Sequence, residues 1–260
     1  VVLSRSLALT ARRPVDADGL LDHLSRDATV TSFLAPLPAS DPAGRPALVG
    51  ATPELLVSRH GNTVVSHPLA GSARRSPDPA LDRQAAEWLE RSDKNRREHR
   101  EVVDAVMDAL APYCSQLGAP EGTTLRSTAT MWHLGTRIVG TLKDGQVSAA
   151  ELAAALHPTP AVCGMPRLRA AGVIHELEGY DRGFYAGAVG WVDGKGDGEW
   201  YVALRCAEVD GRNVRLFAGA GIVPGSEPAA EIDETSAKFL AMLTALGIDE
   251  NGRPLQEKAA

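Results

Sequence analysis

With 260 residues, 44% of them hydrophobic and 23% charged, the chain has ordinary globular composition and enough length for one large core or two small ones. A net charge of −6 and a pI near 5.7 exclude broad attraction to phosphate backbones, and with it a nucleic-acid role. Cys114, Cys163 and Cys206 are odd in number and widely spaced, which speaks against a disulfide framework or a zinc site; with no stretch near the roughly 20 apolar residues of a membrane span, the chain reads as cytoplasmic with no membrane partner.

Val1 to Thr10 reads as a strand that opens in mid-element without an initiator Met, so the chain is expected to be a fragment of something longer. Asp18 to Ser25 predicts a short helix with Leu20, Leu21 and Leu24 on one side. Strands Val30 to Leu37 and Ala47 to Gly50 flank a proline-rich surface loop at 39–46. Leu55 to Arg59 and Thr63 to His67 predict a hairpin turning on His60-Gly61-Asn62. A helix begins at Pro79 and carries Leu81, Ala85, Trp88 and Leu89; Ser92 or Asp93 caps a second, which Pro112 ends. Arg137 to Leu142 is strand-like and Ser148 to Leu156 helical. Phe184 to Val192, Trp200 to Glu208 and Val214 to Val223 return to strands, and a last helix runs from about Pro228 to Leu246 with Gly247 as its stop. Runs of strands broken by a few helices point to an α+β fold with antiparallel or mixed sheets.

Two distant segments place carboxylates on the inward face of a helix. Residues three or four apart share a helical face, so Glu98 lies in line with Val102, Val106 and Leu110, and Glu231 and Glu234 with Lys238 and Met242. An ionised carboxylate facing a core costs several kcal/mol unless a cation or strong donors meet it. A hard divalent ion would resolve that cost, and so would two ordinary buried ion pairs.

Other candidates each have a plain structural reading beside the functional one. Gly219-Ala220-Gly221 at a strand end could be an anion-binding nest or a bulge. Ala70-Gly71-Ser72-Ala73-Arg74-Arg75 could cradle a carboxylate or form a polar turn with solvated arginines. Arg205 sits in the apolar run Tyr201 to Ala207, alternating with Tyr201 and Ala203, and wants a bidentate anion, either substrate or a structural acid. Glu54 and His133 have apolar neighbours and could be proton-transfer groups or satisfied structural residues. His157, in a rigid Pro-rich turn, could simply cap the preceding helix.

In chain order, Pro68-Leu-Ala-Gly-Ser-Ala-Arg-Arg75, Glu98-His99 with Val102-Val103, Trp132-His133-Leu134, His157-Pro-Thr-Pro-Ala161, Tyr185-Ala186-Gly187, Gly219-Ala-Gly-Ile-Val223 and Glu231-x-x-Glu234-Thr235-x-x-Lys238 resemble the chorismate-utilising enzymes. That family comprises isochorismate synthase, salicylate synthase and the synthase components for anthranilate and aminodeoxychorismate. The resemblance runs from Val1 to about Leu246, and the segments at 68–75 and 157–161 are similar to isochorismate synthases of siderophore pathways.

The resemblance implies an anthranilate-synthase-component-I-like fold, with two large packed β-sheets flanked by helices in a single chorismate-binding domain over 1–260 that lacks the N-terminal part of the full-length enzyme. It implies Mg2+ held by Glu98 and Glu234, with Glu231 close by or acting through water. Lys238 and the backbone of Gly71, Ser72, Gly219, Ala220 and Gly221 would hold the ring carboxylate of chorismate, and Tyr185 and Arg205 the enolpyruvyl carboxylate. Glu54 would be the general acid for a reaction in which water adds at ring C2 and the C4 hydroxyl leaves, and His133 would line the pocket beside the reacting ring. In water-using members the general base is a lysine immediately before the Val1-Val2-Leu3-Ser4-Arg5 strand, so the chain as given is expected to turn over poorly. The implied product is isochorismate, from a monomer without a glutaminase partner. Salicylate synthase, an ammonia-using synthase and an inactive chorismate-binding domain are the alternatives.

Overall fold

Alternation of apolar and polar residues forms β1 (Val2–Thr10), and the Leu20 and Leu24 stripe buries α1 (Ala17–Leu24). A computed structural model describes residues 1–39 and 44–255. The core of the proline-rich loop, residues 40–43, lies outside the described residues. Strands β2 (Thr31–Pro36) and β3 (Ala47–Thr52) flank it, and the expected hairpin follows as β4 (Leu55–His60) and β5 (Thr63–His67), closed by Gly61-Asn62.

Leu69–Arg74, which takes in most of the Ala70–Arg75 segment read as either a carboxylate cradle or a polar turn, forms a further strand, β6. Helix α2 (Pro79–Arg91) starts where Asp78 accepts hydrogen bonds from the backbone N–H groups of Ala80 and Leu81. Its inward face is Asp82, Ala86 and Leu89, while Leu81 and Trp88 are 55% and 58% exposed. The reason is Asp82: it accepts from Arg75, the Ser76 N–H and the Trp132 indole, and this polar anchor turns the helix away from its more apolar side. Arg75 is thus anchored by Asp82 and stacked over Trp132, with its side chain 34% exposed.

Ser92 caps α3 (Asp93–Leu110), which buries Val102, Val106 and Leu110. Strands β7 (Cys114–Gly118), β8 (Thr123–Ser127), β9 (Met131–Thr136) and β10 (Ile138–Leu142) follow, then α4 (Ala149–Leu156), opened by a reciprocal Ser148–Glu151 capping box. A helix absent from the sequence expectation, α5 (Arg167–Glu178), buries only Ala170. The last third contains β11 (Ala188–Val192), β12 (Gly198–Val202), β13 (Cys206–Asp210), β14 (Asn213–Gly221) and α6 (Pro228–Ala245).

All sheet pairings are antiparallel. A five-stranded sheet runs β1-β14-β13-β3-β2, a six-stranded sheet β11-β12-β4-β5-β10-β7, and a small third sheet β6-β9-β8 joins the two large ones that were expected. Period two along β14 shows the layering: Phe217 enters the core that holds Leu56, Val57 and Ile138 of the six-stranded sheet and Val106, Leu110 and Leu152 of α3 and α4. Its neighbours Leu216 and Ala218 enter a second core with Leu20 of α1 and Phe239, Met242 and Leu243 of α6. The five-stranded sheet is therefore a middle layer with apolar side chains on both faces.

The run expected as one strand from Trp200 to Glu208 is two strands in different large sheets, β12 and β13. Residues 203–205 carry the chain between them. Among the described residues no helix is long and apolar enough to cross a membrane, and all three cysteines are free and buried.

Candidate active site

One cleft collects side chains from β6, α3, β9, β14, α6 and the segments before β4 and β13. On its wall lie Glu54, Gly71, Ser72, Glu98, His133, Tyr185, Arg205, Gly219, Ala220, Gly221, Glu234 and Lys238, which is the whole set expected from sequence except Glu231.

Glu54 follows Pro53 at the entrance to β4. It is 3% exposed and its Oε1 has no hydrogen-bond partner. Burial raises its pKa to about 8, against the opposing pull of the Leu69 N–H, Lys238 and Arg205. It is therefore a protonated acid at neutral pH, aimed into the cleft.

Arg205 occupies the linker between β12 and β13 with φ +48°, a left-handed conformation that a non-glycine residue rarely adopts. This corrects the expected alternation with Tyr201 and Ala203 on one strand face: the strand has ended, and the turn throws the guanidinium into the cleft. Among the described residues its side chain meets no carboxylate within ion-pair distance, and its one hydrogen-bond contact is His133 Nε2 at 3.4 Å. Burial first, and then the charges of Arg205 and Lys238, hold His133 well below the usual imidazole pKa, so a neutral ring accepts from the Arg205 N–H. Tyr185 is buried and stacks on Phe217 with ring centroids 5.0 Å apart; burial pushes its hydroxyl pKa up, so it serves as a neutral donor.

Across from these lies an acidic group. The Glu234 Oε1 accepts from Lys238 Nζ at 2.6 Å and from Ser72 Oγ at 2.7 Å, and Lys238 Nζ also donates to the Gly219 carbonyl. Burial pushes Glu234 up, but Lys238 and Ser72 together outweigh it and its pKa is lowered. Glu98 is raised, by burial first and by the charge of Glu234 second, and among the described residues it has no hydrogen-bond or ion-pair partner.

Glu231 goes elsewhere. It is 7% exposed and pairs with Lys94 Nζ at 2.5 Å. Among the described residues no three acidic, His or Cys side chains form a ready-made cation cage, so the structure gathers two of the three expected carboxylates.

The glycines act mostly by leaving space. A Cβ on Gly221 would lie 2.9 Å from Glu98 Cδ, closer than real Cβ contacts come. Gly71, with φ +75°, sits at a register shift between β6 and β9. Residues 219–221, read as either a nest or a bulge, are regular strand, paired with Ser4, Leu3 and Val2 of β1.

His157 caps the preceding helix, as its simple reading has it, and does more. Its backbone N–H caps α4 through the Ala153 carbonyl, while its ring nitrogen donates to the Ala186 carbonyl at 2.7 Å. Two contributors were missed from sequence. Lys94 stands four residues before Glu98, so the same-face count that found Glu98 would have found it. Arg182 carries no such signal; it donates to the carbonyls of Val2 and Val162 and pairs with Glu178, fixing the cleft floor.

The comparisons with known proteins show the family. The family described as chorismate binding enzyme matches residues 1–247. Isochorismate synthase DhbC of Bacillus subtilis (strain 168) is 52% identical over 251 residues, covering 96% of this chain and 63% of DhbC. Isochorismate synthase EntC of Escherichia coli (strain K12) is 45% identical over 249 residues, covering 95% of this chain and 62% of EntC. The crystal structure of DhbC from Bacillus anthracis superposes with a TM-score of 0.94 at 48% identity, covering 96% of this chain and 67% of that one. The chain thus spans less than two thirds of the length of DhbC from B. subtilis and of EntC. A family match over residues 1–247, with relatives and a solved structure alike along nearly the whole chain, shows that it belongs to the chorismate-binding enzymes.

Proposed function

We propose that this cleft is the chorismate site of a magnesium-dependent isochorismate synthase. The observation that carries the reading is Glu54, a carboxyl kept protonated by burial and facing a cleft that also holds a carboxylate pair and an arginine without an acidic partner. Arg205 would take the enolpyruvyl carboxylate through its two-pronged donor face, with the Tyr185 hydroxyl beside it. Lys238 would meet the ring carboxylate. Water adds at C2 and releases one proton to solvent, the ring double bonds shift, the C4–O bond breaks, and Glu54 would give that oxygen a proton so that it leaves as water, the acid then regaining its proton from solvent.

Glu98 and Glu234 fit a hard divalent ion: two carboxylates share one cleft, and among the described residues Glu98 has no ion-pair partner. Magnesium, when bound there, supplies positive charge for the ring carboxylate. The free, buried cysteines fit a reducing, cytoplasmic setting.

The test is chorismate incubated with and without magnesium, the products resolved by chromatography. Isochorismate appearing only with the metal is expected. Salicylate and pyruvate, or an aminated product when ammonium is added, would move the assignment to another branch of the family. Gly221→Ala gives a second check, since the new methyl displaces the Glu98 carboxylate. Calorimetric magnesium affinity is expected to fall by about tenfold or more, in proportion to the loss of one well-placed ligand.

A further inference from the structure

We propose that Lys94 is a positioning residue of the cation site: by pairing with Glu231 it withholds a third carboxylate and leaves the ion to Glu98 and Glu234. The inference rests on the magnesium-dependent reading above.

The geometry is a clasp between two helices. Lys94 lies one turn before Glu98 on α3, and Glu231 lies one turn before Glu234 on α6. The Lys94–Glu231 contact is the one side-chain hydrogen bond or ion pair between these helices among the described residues. Glu231 is buried yet absent from the cleft wall, held there by its pair with Lys94. A buried carboxylate with no counter-ion turns to the nearest cation. Without Lys94, that cation is an ion between Glu98 and Glu234.

The carboxylate count matters because magnesium is octahedral and is ordinarily held by one or two protein carboxylates, leaving positions for water and for an anionic substrate. A third carboxylate would tighten the grip on the free ion and take a position that substrate needs. Lys94 therefore trades metal affinity for substrate capture.

The experiment is isothermal titration of magnesium alone into the wild type, Lys94→Met, Glu231→Gln, the double variant and Lys94→Arg, with circular dichroism confirming the fold of each. Lys94→Met is expected to bind magnesium about tenfold tighter, because Glu231 joins the site. In the Glu231→Gln background the same change should do little, about threefold or less, so that the two substitutions are strongly non-additive. Chorismate KM at saturating magnesium should rise in Lys94→Met, and Lys94→Arg, which keeps the pair, should match the wild type. Equal effects of Lys94→Met in both backgrounds would mean simple charge removal and overturn the proposal. So would a gain of about tenfold in Lys94→Arg over the wild type, a comparison that still decides the matter if the Met variant does not fold. Glu98→Gln separates the two levels: if it leaves wild-type magnesium binding intact, or if the wild type binds none, the magnesium reading itself falls. If Glu98→Gln abolishes binding and the double-variant cycle is additive, the role of Lys94 falls alone.

Discussion

Glu54→Gln is expected to lower chorismate turnover by about 10²–10⁴, the usual loss on removing a general acid, while leaving chorismate affinity nearly unchanged and the folded state more stable. The three effects share one cause. Glu54 has its pKa raised to about 8 by burial, against an ordinary value of 4.5, so between those pH values the unfolded carboxyl is ionised and the folded one is not. Across that window each pH unit costs the native state about 1.4 kcal/mol. A raised carboxyl pKa thus withdraws stability as pH rises from the unfolded value toward the folded one. Gln does not titrate, so at neutral pH the variant is expected to gain about 1–3 kcal/mol in denaturant unfolding, with the gain shrinking below about pH 5. Activity follows the same group in the same direction: the acid form is needed, so turnover is expected to fall as pH rises through about 8. A Gln variant that retains that alkaline fall at full rate would remove Glu54 from the proton-donor role.

The sequence showed most clearly what depends on local periodicity or on a turn. The β4–β5 hairpin appears around Gly61-Asn62, α3 starts at Ser92, and the inward line from Glu98 through Val102, Val106 and Leu110 holds over three turns. What it hid depends on partners distant in the chain. Strand β6 is Leu-Ala-Gly-Ser-Ala-Arg, small and polar, and it becomes a strand because β9 pairs with it and α3 covers it, not through any β propensity of its own. Helix α5 buries a single alanine, so it has no apolar stripe to read. On α2 one buried Asp, and not the large apolar Leu81 and Trp88, sets which side faces in, which no apolar count along the helix reveals. The site was legible through motif order rather than through each residue's own signal. Glu231 shows the limit: the helical count placed it correctly with Glu234 and Lys238, but a count along one helix cannot reveal that a lysine on another has already claimed it.

The second large effect is expected at Arg205, where side chain and backbone can be separated by experiment. Arg205→Lys keeps a positive charge but loses the planar fork that matches a carboxylate, so kcat/KM for chorismate is expected to fall by an amount equivalent to about 2–5 kcal/mol. Arg205→Ala and Arg205→Gly should lose at least as much, since neither supplies a donor. Their stabilities should differ. At φ +48° a residue with a Cβ bears roughly 1–2 kcal/mol that glycine does not, so the Gly variant should unfold at higher denaturant than the Ala variant although both are inactive. The chain accepts that cost because the linker between β12 and β13 must step from one sheet to the other within three residues, and the left-handed turn is what aims the guanidinium at the cleft instead of along a strand face. Added guanidinium should restore part of the activity to the Gly variant, by filling the space beside His133 with the same fork. Recovery with an alkylammonium ion as good as with guanidinium would show that only charge is read there, and the two-pronged carboxylate contact would be wrong.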